Sequence, residues 1–400
     1  MTEVPCKVPQ PSNICIVGGA GHVGLPLALT FANRGFRISV YDKNEKILRR
    51  IEQGEMPYDE ENGQPLLDQA NKTGLLRLSS DPASVGDAET VVVTIGTPVD
   101  EFMNPVFKVI KNCADELLPY LSDDQLMVLR STVYPGTTDW LDGYLKSRGK
   151  QLRVSYCPER VVQGHAIEEI QSLPHLVSGT TDRAADAAAD LFGSLTDRIV
   201  RLSPMEAEFA KLFHNSYRYI KFAVANQFYM IANAAGVDYN RVLDGMKQDY
   251  PRDSEIPHAG FTAGPCLLKD TMQLAAFSNN QFTLGHTAMV VNEGLVLYLV
   301  EEIKRRFGEL GCMTVGLLGM AFKANSGDTR ASLSYKLKKM LEFQAEGVLT
   351  HDSHVQDDPD LKTLDEVVEN SDLLILCVPH TEYSELQTGD TPVIDIWGYL

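Results

Sequence analysis

Asn13-Ile14-Cys15-Ile16-Val17-Gly18-Gly19-Ala20-Gly21-His22-Val23-Gly24 is the stretch on which the fold turns. A short apolar run of strand type, Asn13 to Val17, feeds a G-x-G-x-x-G pattern at Gly19, Gly21 and Gly24. A helical pattern follows from Leu25 to Arg34, then a second strand, Arg37 to Tyr41, that ends at Asp42. Strand, glycines, helix, strand and acid in this order, with the acid about twenty residues past the glycines, make a dinucleotide-binding unit. Gly19 is expected to permit the turn, Gly21 to let the backbone reach a pyrophosphate, and Gly24 to let helix and strand pack closely. Asp42 would accept hydrogen bonds from ribose hydroxyls and repel a 2′-phosphate, which favours NAD over NADP. His22 and Val23 lie in the same loop and join the expected cofactor contacts.

Further strands extend the sheet. Glu89 to Ile95 stops at Gly96-Thr97-Pro98, and Gln125 to Leu129 stops at Arg130-Ser131-Thr132. Ligands of open α/β sheets sit beyond the carboxyl ends of the strands, so Thr97, Ser131 and Thr132 are candidates to line the cofactor cleft. Either tip alone reads equally well as an ordinary polar loop. Arg153 to Tyr156 leads to Cys157-Pro158-Glu159-Arg160-Val161, which puts Glu159 at another strand end, where a carboxylate could orient or activate water. Leu176 to Gly179 and Asp197 to Leu202 read as closing strands.

The bulk numbers bound what this sheet belongs to. Four hundred residues exceed one core and imply two or three domains. With 44% apolar and 22% charged residues the composition is globular, and a net charge of −18 argues against nucleic-acid or anionic-membrane partners. Met1 to Asn13 has no apolar signal core, and no run of eighteen apolar residues occurs. Seven widely spaced cysteines without a C-x-x-C pair, Cys6 among them, suit a reducing cytoplasm and suggest neither a disulfide framework nor a zinc site; no metal is expected.

Beyond the first sheet, Ser203-Pro204-Met205-Glu206 is a capping box with proline at the first helical position. No glycine or proline follows until Gly236, so one helix of about thirty residues, near 45 Å long, is expected there. It could join two domains and offer a face for dimerisation. Lys211, Asn215 and Asn226 fall on one face of it. That polar stripe either bonds a neighbouring loop or belongs to a site, where Lys211 and Asn215 could stabilise an oxyanion. Past a shorter helix, Asp238 to Met246, and a polar loop with Arg252 comes Gly260-Phe261-Thr262-Ala263-Gly264-Pro265-Cys266-Leu267-Leu268-Lys269-Asp270. With Cys266 at a helix start, Lys269 and Asp270 share its face, and helix amides and an ammonium both favour the thiolate. Taken alone, the segment reads more readily as a small buried cysteine followed by a surface ion pair.

A second long helix, Phe282 to Phe307, leads to another α/β half with strands near Met313 to Gly319, Val348 to Asp352, Leu373 to Pro379 and Pro392 to Ile396. Gly316 and Gly319 make no dinucleotide fingerprint, so this half is expected to close over the remainder of a substrate, with Lys323 placed for an anionic group, although taken alone that lysine reads more readily as plain surface charge. The reading is thus an α/β chain of two Rossmann-like parallel-sheet domains and a helical segment between them in sequence, divided at 1–202, 203–307 and 308–400.

Taken in order, these motifs resemble those of the UDP-glucose/GDP-mannose dehydrogenase family: Gly19-Ala20-Gly21-His22-Val23-Gly24-Leu25-Pro26, Gly96-Thr97-Pro98, Ser131-Thr132-Val133, Pro158-Glu159-Arg160, Ala207-Glu208 with Lys211 and Asn215, Cys266 with Lys269-Asp270, and Phe322-Lys323 with Asp328-Thr329-Arg330. The resemblance spans Ile14 to Trp397. It implies NAD as cofactor, a dimer, a UDP-linked sugar as substrate, a place in polysaccharide biosynthesis, and oxidation of the sugar's C6 alcohol to a carboxylate with two NAD used in turn. It further implies Cys266 as nucleophile, Lys211 and Asn215 as oxyanion donors, and Asp270, Glu159 and Thr132 placing and deprotonating water. Lys269 and Arg330 would help hold the cofactor. Glu159, Arg160, Val161, Lys211, Asn215, Gly260, Phe261, Gly264, Phe322 and Lys323 would contact the substrate, as would Arg252, from this subunit or a neighbouring one. Some positions depart from the family's commonest form. Gly260 to Pro265 replaces a more glycine-rich run, and Gln163 stands where a second glutamate is usual. Arg160 is similar to enzymes acting on N-acetylhexosamines, whereas Leu267-Leu268-Lys269-Asp270 is similar to those acting on UDP-glucose. Two other readings stay open from the sequence: a two-electron dehydrogenase of the 3-hydroxyacid type, and a non-catalytic dinucleotide sensor.

Overall fold

The computed structural model describes residues 13–262 and 264–400; Cys6, most of the N-terminal stretch and Ala263 lie outside the described residues. The chain forms two compact units, one ending at Leu212 and one running from Phe213 to Leu400.

The first unit is built on a parallel sheet of β1 (Asn13–Val17), β2 (Arg37–Tyr41), β3 (Leu76–Ser79), β4 (Thr90–Val93), β5 (Leu126–Leu129) and β6 (Arg153–Tyr156) in the order β3-β2-β1-β4-β5-β6. The order reverses at β1, where Ile14 pairs with Ile38 on one side and Thr90 on the other. That reversal opens the crevice where doubly wound sheets bind ligands. β4 and β5 are buried at every residue, which is why they read as unbroken apolar runs. Helix Gly24–Asn33 buries nine residues, six of them in one core cluster, and Ile110, Leu117, Leu141 and Leu145 belong to a second. The edge strand β3, Leu-Arg-Leu-Ser, is short and only half-buried, and the sequence reading passes it over. β7 (His175–Val177) and β8 (Ile199–Arg201) pair with each other, and the amides of Ser178 and Thr180 donate to Tyr156 and Val154, continuing the sheet past β6.

The expected long helix runs Pro204–Ala234, 31 residues, and contains the division between the units. Its capping box forms as the sequence indicates: Ser203 N and Oγ each donate to Glu206 at 2.8 Å. In the second unit, helices Tyr239–Lys247, Leu267–Phe277 and Thr283–Phe307 precede a four-stranded parallel sheet. Its strands β9 (Thr314–Leu318), β10 (Gly347–His351), β11 (Leu373–Leu376) and β12 (Val393–Asp395) lie in the order β10-β9-β11-β12. Thr283–Phe307 is long and apolar enough to cross a membrane by composition, but Leu295, Val296, Leu299, Val300 and Ile303 are buried in one core cluster with Val315 and Leu317 of β9. One face of the helix is thus core, while Leu284, Val290 and Leu297 are exposed.

Candidate active site

In the first unit the glycines do separable work. The left-handed turn falls on Gly18 (φ +73°), one residue before the position the sequence pattern favours. Gly19 is required for another reason: a Cβ there would stand 2.6 Å from the Ile16 carbonyl oxygen. At Gly24 a Cβ would stand 2.5 Å from Gly19 Cα, the close helix–strand approach expected of it. Gly21 has only the Gly18 oxygen nearby, at 3.5 Å, so its outer side is open to a ligand. Asp42 Oδ2 accepts from Ala20 N (3.1 Å) and Oδ1 from Asn44 N (2.9 Å), which ties the acid at the end of β2 to the loop after β1. Tyr58, which no sequence motif marks, donates its hydroxyl to the Gly21 carbonyl at 2.8 Å and packs against His22, the rings tilted by 38° with centroids 4.0 Å apart. Gln163 Nε2 pairs with His22 Nδ1 at 3.1 Å, and Val23 is the N-cap of the following helix. An open backbone edge with a carboxylate that retains acceptor capacity fits a dinucleotide.

The tips of β4, β5 and β6 are stitched together. Thr97 Oγ1 donates to the Thr132 carbonyl (2.5 Å) and Ser131 Oγ to that of Ile95 (2.6 Å). Glu159 differs from the water-facing carboxylate that the sequence suggests. Arg130, 1% exposed, donates to Glu159 Oε2 through Nε (2.9 Å) and Nη2 (2.5 Å). Oε1 accepts the amides of Arg160 (2.7 Å) and Val161 (3.1 Å). All four acceptor positions of the carboxylate are filled. Burial would raise its pKa, but the Arg130 charge and the Arg160 and Val161 amides hold it below the usual carboxylate range. This geometry suits Glu159 to fixing the 159–161 turn rather than to deprotonating water. The Arg160 guanidinium is itself drawn to the Pro174 carbonyl. Glu208 Oε1 and Oε2 accept the Thr138 and Gly136 amides (2.9 and 2.6 Å), which anchors the long helix to the start of helix Thr137–Ser147.

In the second unit Cys266 is exposed and is the N-cap residue of helix Leu267–Phe277, which puts the cysteine at a helix start. Asp270, fully buried, accepts Asn215 Nδ2 on one oxygen and Lys269 Nζ on the other, both at 2.5 Å. The Lys269 ammonium therefore lies on Asp270, where the resemblance would place it on the cofactor. Arg330 is held by Asp328, through Nε at 2.9 Å and Nη2 at 2.5 Å; its pKa is raised, first by that hydrogen bond and in part by the charge of Cys266. Lys211 lies one turn before Asn215 on the same helix. Asn226, the far end of the polar stripe, bonds a loop: its Oδ1 accepts Gly260 N at 2.8 Å and its Nδ2 donates to Asn292 Oδ1 at 2.9 Å. The cysteine segment is clamped at two glycines. A Cβ at Gly260 would stand 2.5 Å from the Trp397 indole, and one at Gly264 (φ +97°) 2.6 Å from the Phe322 ring. Phe261 is buried between them in sequence, and Lys323 follows Phe322. Arg252 is exposed on the short turn Pro251–Asp253.

Three family models match in succession: the NAD-binding domain of the UDP-glucose/GDP-mannose dehydrogenase family at residues 12–196, its central domain at 205–294 and its UDP-binding domain at 316–400. The chain belongs to this family. It is an NAD-dependent nucleotide-sugar dehydrogenase. It is similar to the UDP-N-acetyl-D-mannosamine dehydrogenase of Methanocaldococcus jannaschii, 29% identical over 94% of this chain and 88% of that one. It is also similar to the NDP-N-acetyl-D-galactosaminuronic acid dehydrogenase of Ralstonia nicotianae, 27% identical over 93% and 92%. A UDP-glucose dehydrogenase structure from Pyrobaculum islandicum shares the fold with a TM-score of 0.91 at 24% identity, over 100% of this chain and 96% of that one. Among the residues that tie these loops together, Arg130, Tyr58 and Asn292 carry no signal in the sequence pattern, since each bonds a partner distant along the chain.

Proposed function

We propose that the chain oxidises the C6 alcohol of a UDP-linked sugar to the carboxylate in two steps, with Cys266 holding the intermediate covalently. The observation that carries this reading is the exposed Cys266 thiol at a helix N-terminus, one turn from the buried Asp270–Asn215 pair. Gly19, Gly21, Gly24 and Asp42, with Thr97 and Ser131, would hold NAD, which when bound accepts a hydride in each oxidation.

The residues divide the remaining work. The first oxidation leaves an aldehyde, and the Cys266 thiolate attacks its carbon to give a thiohemiacetal. Lys211 and the second N–H of Asn215 stabilise the oxygen while it carries negative charge. The second oxidation turns the thiohemiacetal into a thioester. Water then attacks the thioester carbon and Asp270 takes its proton; the C–S bond breaks to restore the thiolate, and the acid gives its remaining proton to solvent as it leaves as the carboxylate. Glu159 and Arg130 keep the 159–161 backbone in place for the sugar, with Gly260, Phe261, Gly264 and Phe322 as further contacts. Lys323 binds the diphosphate. The names of the two relatives above favour a sugar with a 2-acetamido group over glucose.

The active form is proposed to be a homodimer, because Phe213, Tyr217, Val224, Phe228 and Ile231 line the long helix as exposed apolar residues. The six described cysteines are all free thiols, which suits a reducing compartment such as the cytoplasm.

The test counts NADH while UDP-N-acetylhexosamines and UDP-glucose are offered in turn. Two equivalents per sugar and a uronic acid product are expected. One equivalent would return the chain to the two-electron class. Cys266→Ser is expected to abolish acid formation while NAD and UDP still bind; unchanged turnover would remove the covalent route.

A further inference from the structure

The segment carrying Phe322 and Lys323 leaves β9 at Gly319 and reaches helix Leu333–Leu341 at its N-cap, Ser332. It has no regular structure, yet it is held from within. Asp352, one residue past β10 and 4% exposed, accepts on Oδ2 the amides of Met320 (2.7 Å) and Ala321 (2.8 Å) and His380 Nε2 (3.0 Å). His380, beyond β11 and fully buried, accepts the Asn325 amide on Nδ1 at 2.9 Å. A ring nitrogen that accepts an N–H carries no proton, so His380 is the neutral tautomer with its proton on Nε2, facing Asp352. The ring plane is fixed by His354 stacked at 4.8 Å and by the edge of Tyr383 at 5.6 Å. Asn325 takes a left-handed conformation (φ +52°) and its side chain closes on Thr381, donating to Oγ1 (2.8 Å) and accepting from N (3.0 Å). Lys323 thus stands midway between two fixed points, Ala321 and Asn325.

We propose that the buried Asp352–His380 pair is a positioning device for Lys323, holding the backbone on both sides of it so that the ammonium is set in place before a nucleoside diphosphate arrives. Without the pair, the segment has to be ordered during binding, and fixing even one residue costs about 5- to 30-fold in affinity. The proposal rests on the reading of Lys323 as the diphosphate ligand.

Calorimetric titration of UDP into the full chain tests it, alongside KM, kcat and NAD affinity. His380→Gln keeps a donor toward Asp352 but loses the acceptor for Asn325, whereas His380→Asn keeps an oxygen near Nδ1. His380→Gln is expected to weaken UDP binding and raise the sugar-nucleotide KM about 5- to 30-fold, with kcat at saturation and NAD affinity unchanged. His380→Asn is expected to recover part of the loss. Thr381→Val alters only an exposed side chain, so it reads the same effect, about 2- to 3-fold, should His380→Gln fail to fold. Folded His380→Gln and Thr381→Val proteins that both bind UDP as the parent does would overturn the positioning role. So would a kcat that falls as much as KM rises. Lys323→Met separates the two readings. If it weakens UDP binding while the brace variants do not, only the brace fails; if it has no effect, the diphosphate assignment falls and the brace with it.

Discussion

Replacing Arg130 by methionine removes the cation from a pair that is almost wholly buried, Arg130 being 1% and Glu159 8% exposed. The substitution deletes two N–H donors to Glu159 Oε2, at 2.9 and 2.5 Å, one to the Cys157 carbonyl at 3.1 Å, and a guanidinium lying 4.7 Å from the Phe192 ring centroid. Glu159 is left with the Arg160 and Val161 amides alone. Breaking one side of a buried pair costs about 3–5 kcal/mol, because the surviving charge stays buried without its partner. The pH dependence carries a sign. In the parent, Glu159 has a lowered pKa, so its contribution is present above the unfolded carboxylate range and is lost as pH falls through the folded value. In Arg130→Met, burial dominates and the folded pKa moves above the unfolded one, so stability falls as pH rises through it. The penalty is therefore larger at pH 7 than at pH 5. Urea unfolding, read from Trp140 with Trp397 replaced by phenylalanine, measures the first unit separately. The double variant Arg130→Met/Glu159→Gln is expected to recover at least about 2 kcal/mol, since the amide leaves no buried charge. A loss below about 1 kcal/mol at pH 7, or a penalty that does not shrink toward pH 5, would refute the account of Glu159 as an anchored anion.

Gly264→Ala forces an L-residue into φ +97° and sets its Cβ 2.6 Å from the Phe322 ring, so the cysteine segment has to shift. Strain of about 1–2 kcal/mol or more is expected, with kcat/KM down about tenfold or more and NAD affinity unchanged; parent-like kinetics would show that the clamp at Phe322 does not position the thiol. Phe228→Asp places a charge in the exposed apolar stripe of the long helix and is expected to convert a dimer to a monomer in light scattering. If the parent is monomeric at micromolar concentration, the stripe is not a self-association surface.

What the sequence revealed and what it withheld divide by the reach of the interactions. β1, β2 and β6 match their expected bounds, because strands buried in a parallel sheet are marked by local apolar runs and sharp polar stops. The long helix is equally legible, since the Ser203–Glu206 box starts it and no breaker follows until Gly236. β3 was hidden because Leu76 to Ser79 is a four-residue edge strand whose polar positions face out. The glycine turn was displaced by one residue, since pattern alone does not tell a positive φ at Gly18 from a close approach at Gly19. At the candidate site, the helix start at Cys266, with Lys269 and Asp270 one turn on, was legible through helical spacing, whereas their roles came only from the family resemblance. The pairings Arg130–Glu159, Asn226–Gly260 and Asp352–His380 were not, because each joins residues that only the folded chain brings together.

The two sheets reuse one device to different ends, and the difference explains how each half can recognise a nucleotide. In both, an acid just past the second strand accepts amides of the loop after the first: Asp42 from Ala20, Asp352 from Met320 and Ala321. A carboxylate offers about four acceptor positions. Asp42 is half-buried and takes two N–H groups, one on each oxygen, so it keeps capacity for a ribose diol. Asp352 is buried and takes those of Met320, Ala321, His354 and Val355 together with His380 Nε2; burial would raise its pKa, but the His380 hydrogen bond and the backbone amides hold it below the usual carboxylate range. That acid is saturated and has nothing left for a ligand. Under the proposed function, recognition in the second sheet passes to what the acid holds in place, the segment that leads to Phe322 and Lys323. In the proposed function a cation there, Lys323, meets the phosphates, where the first sheet would rely on open backbone at Gly21.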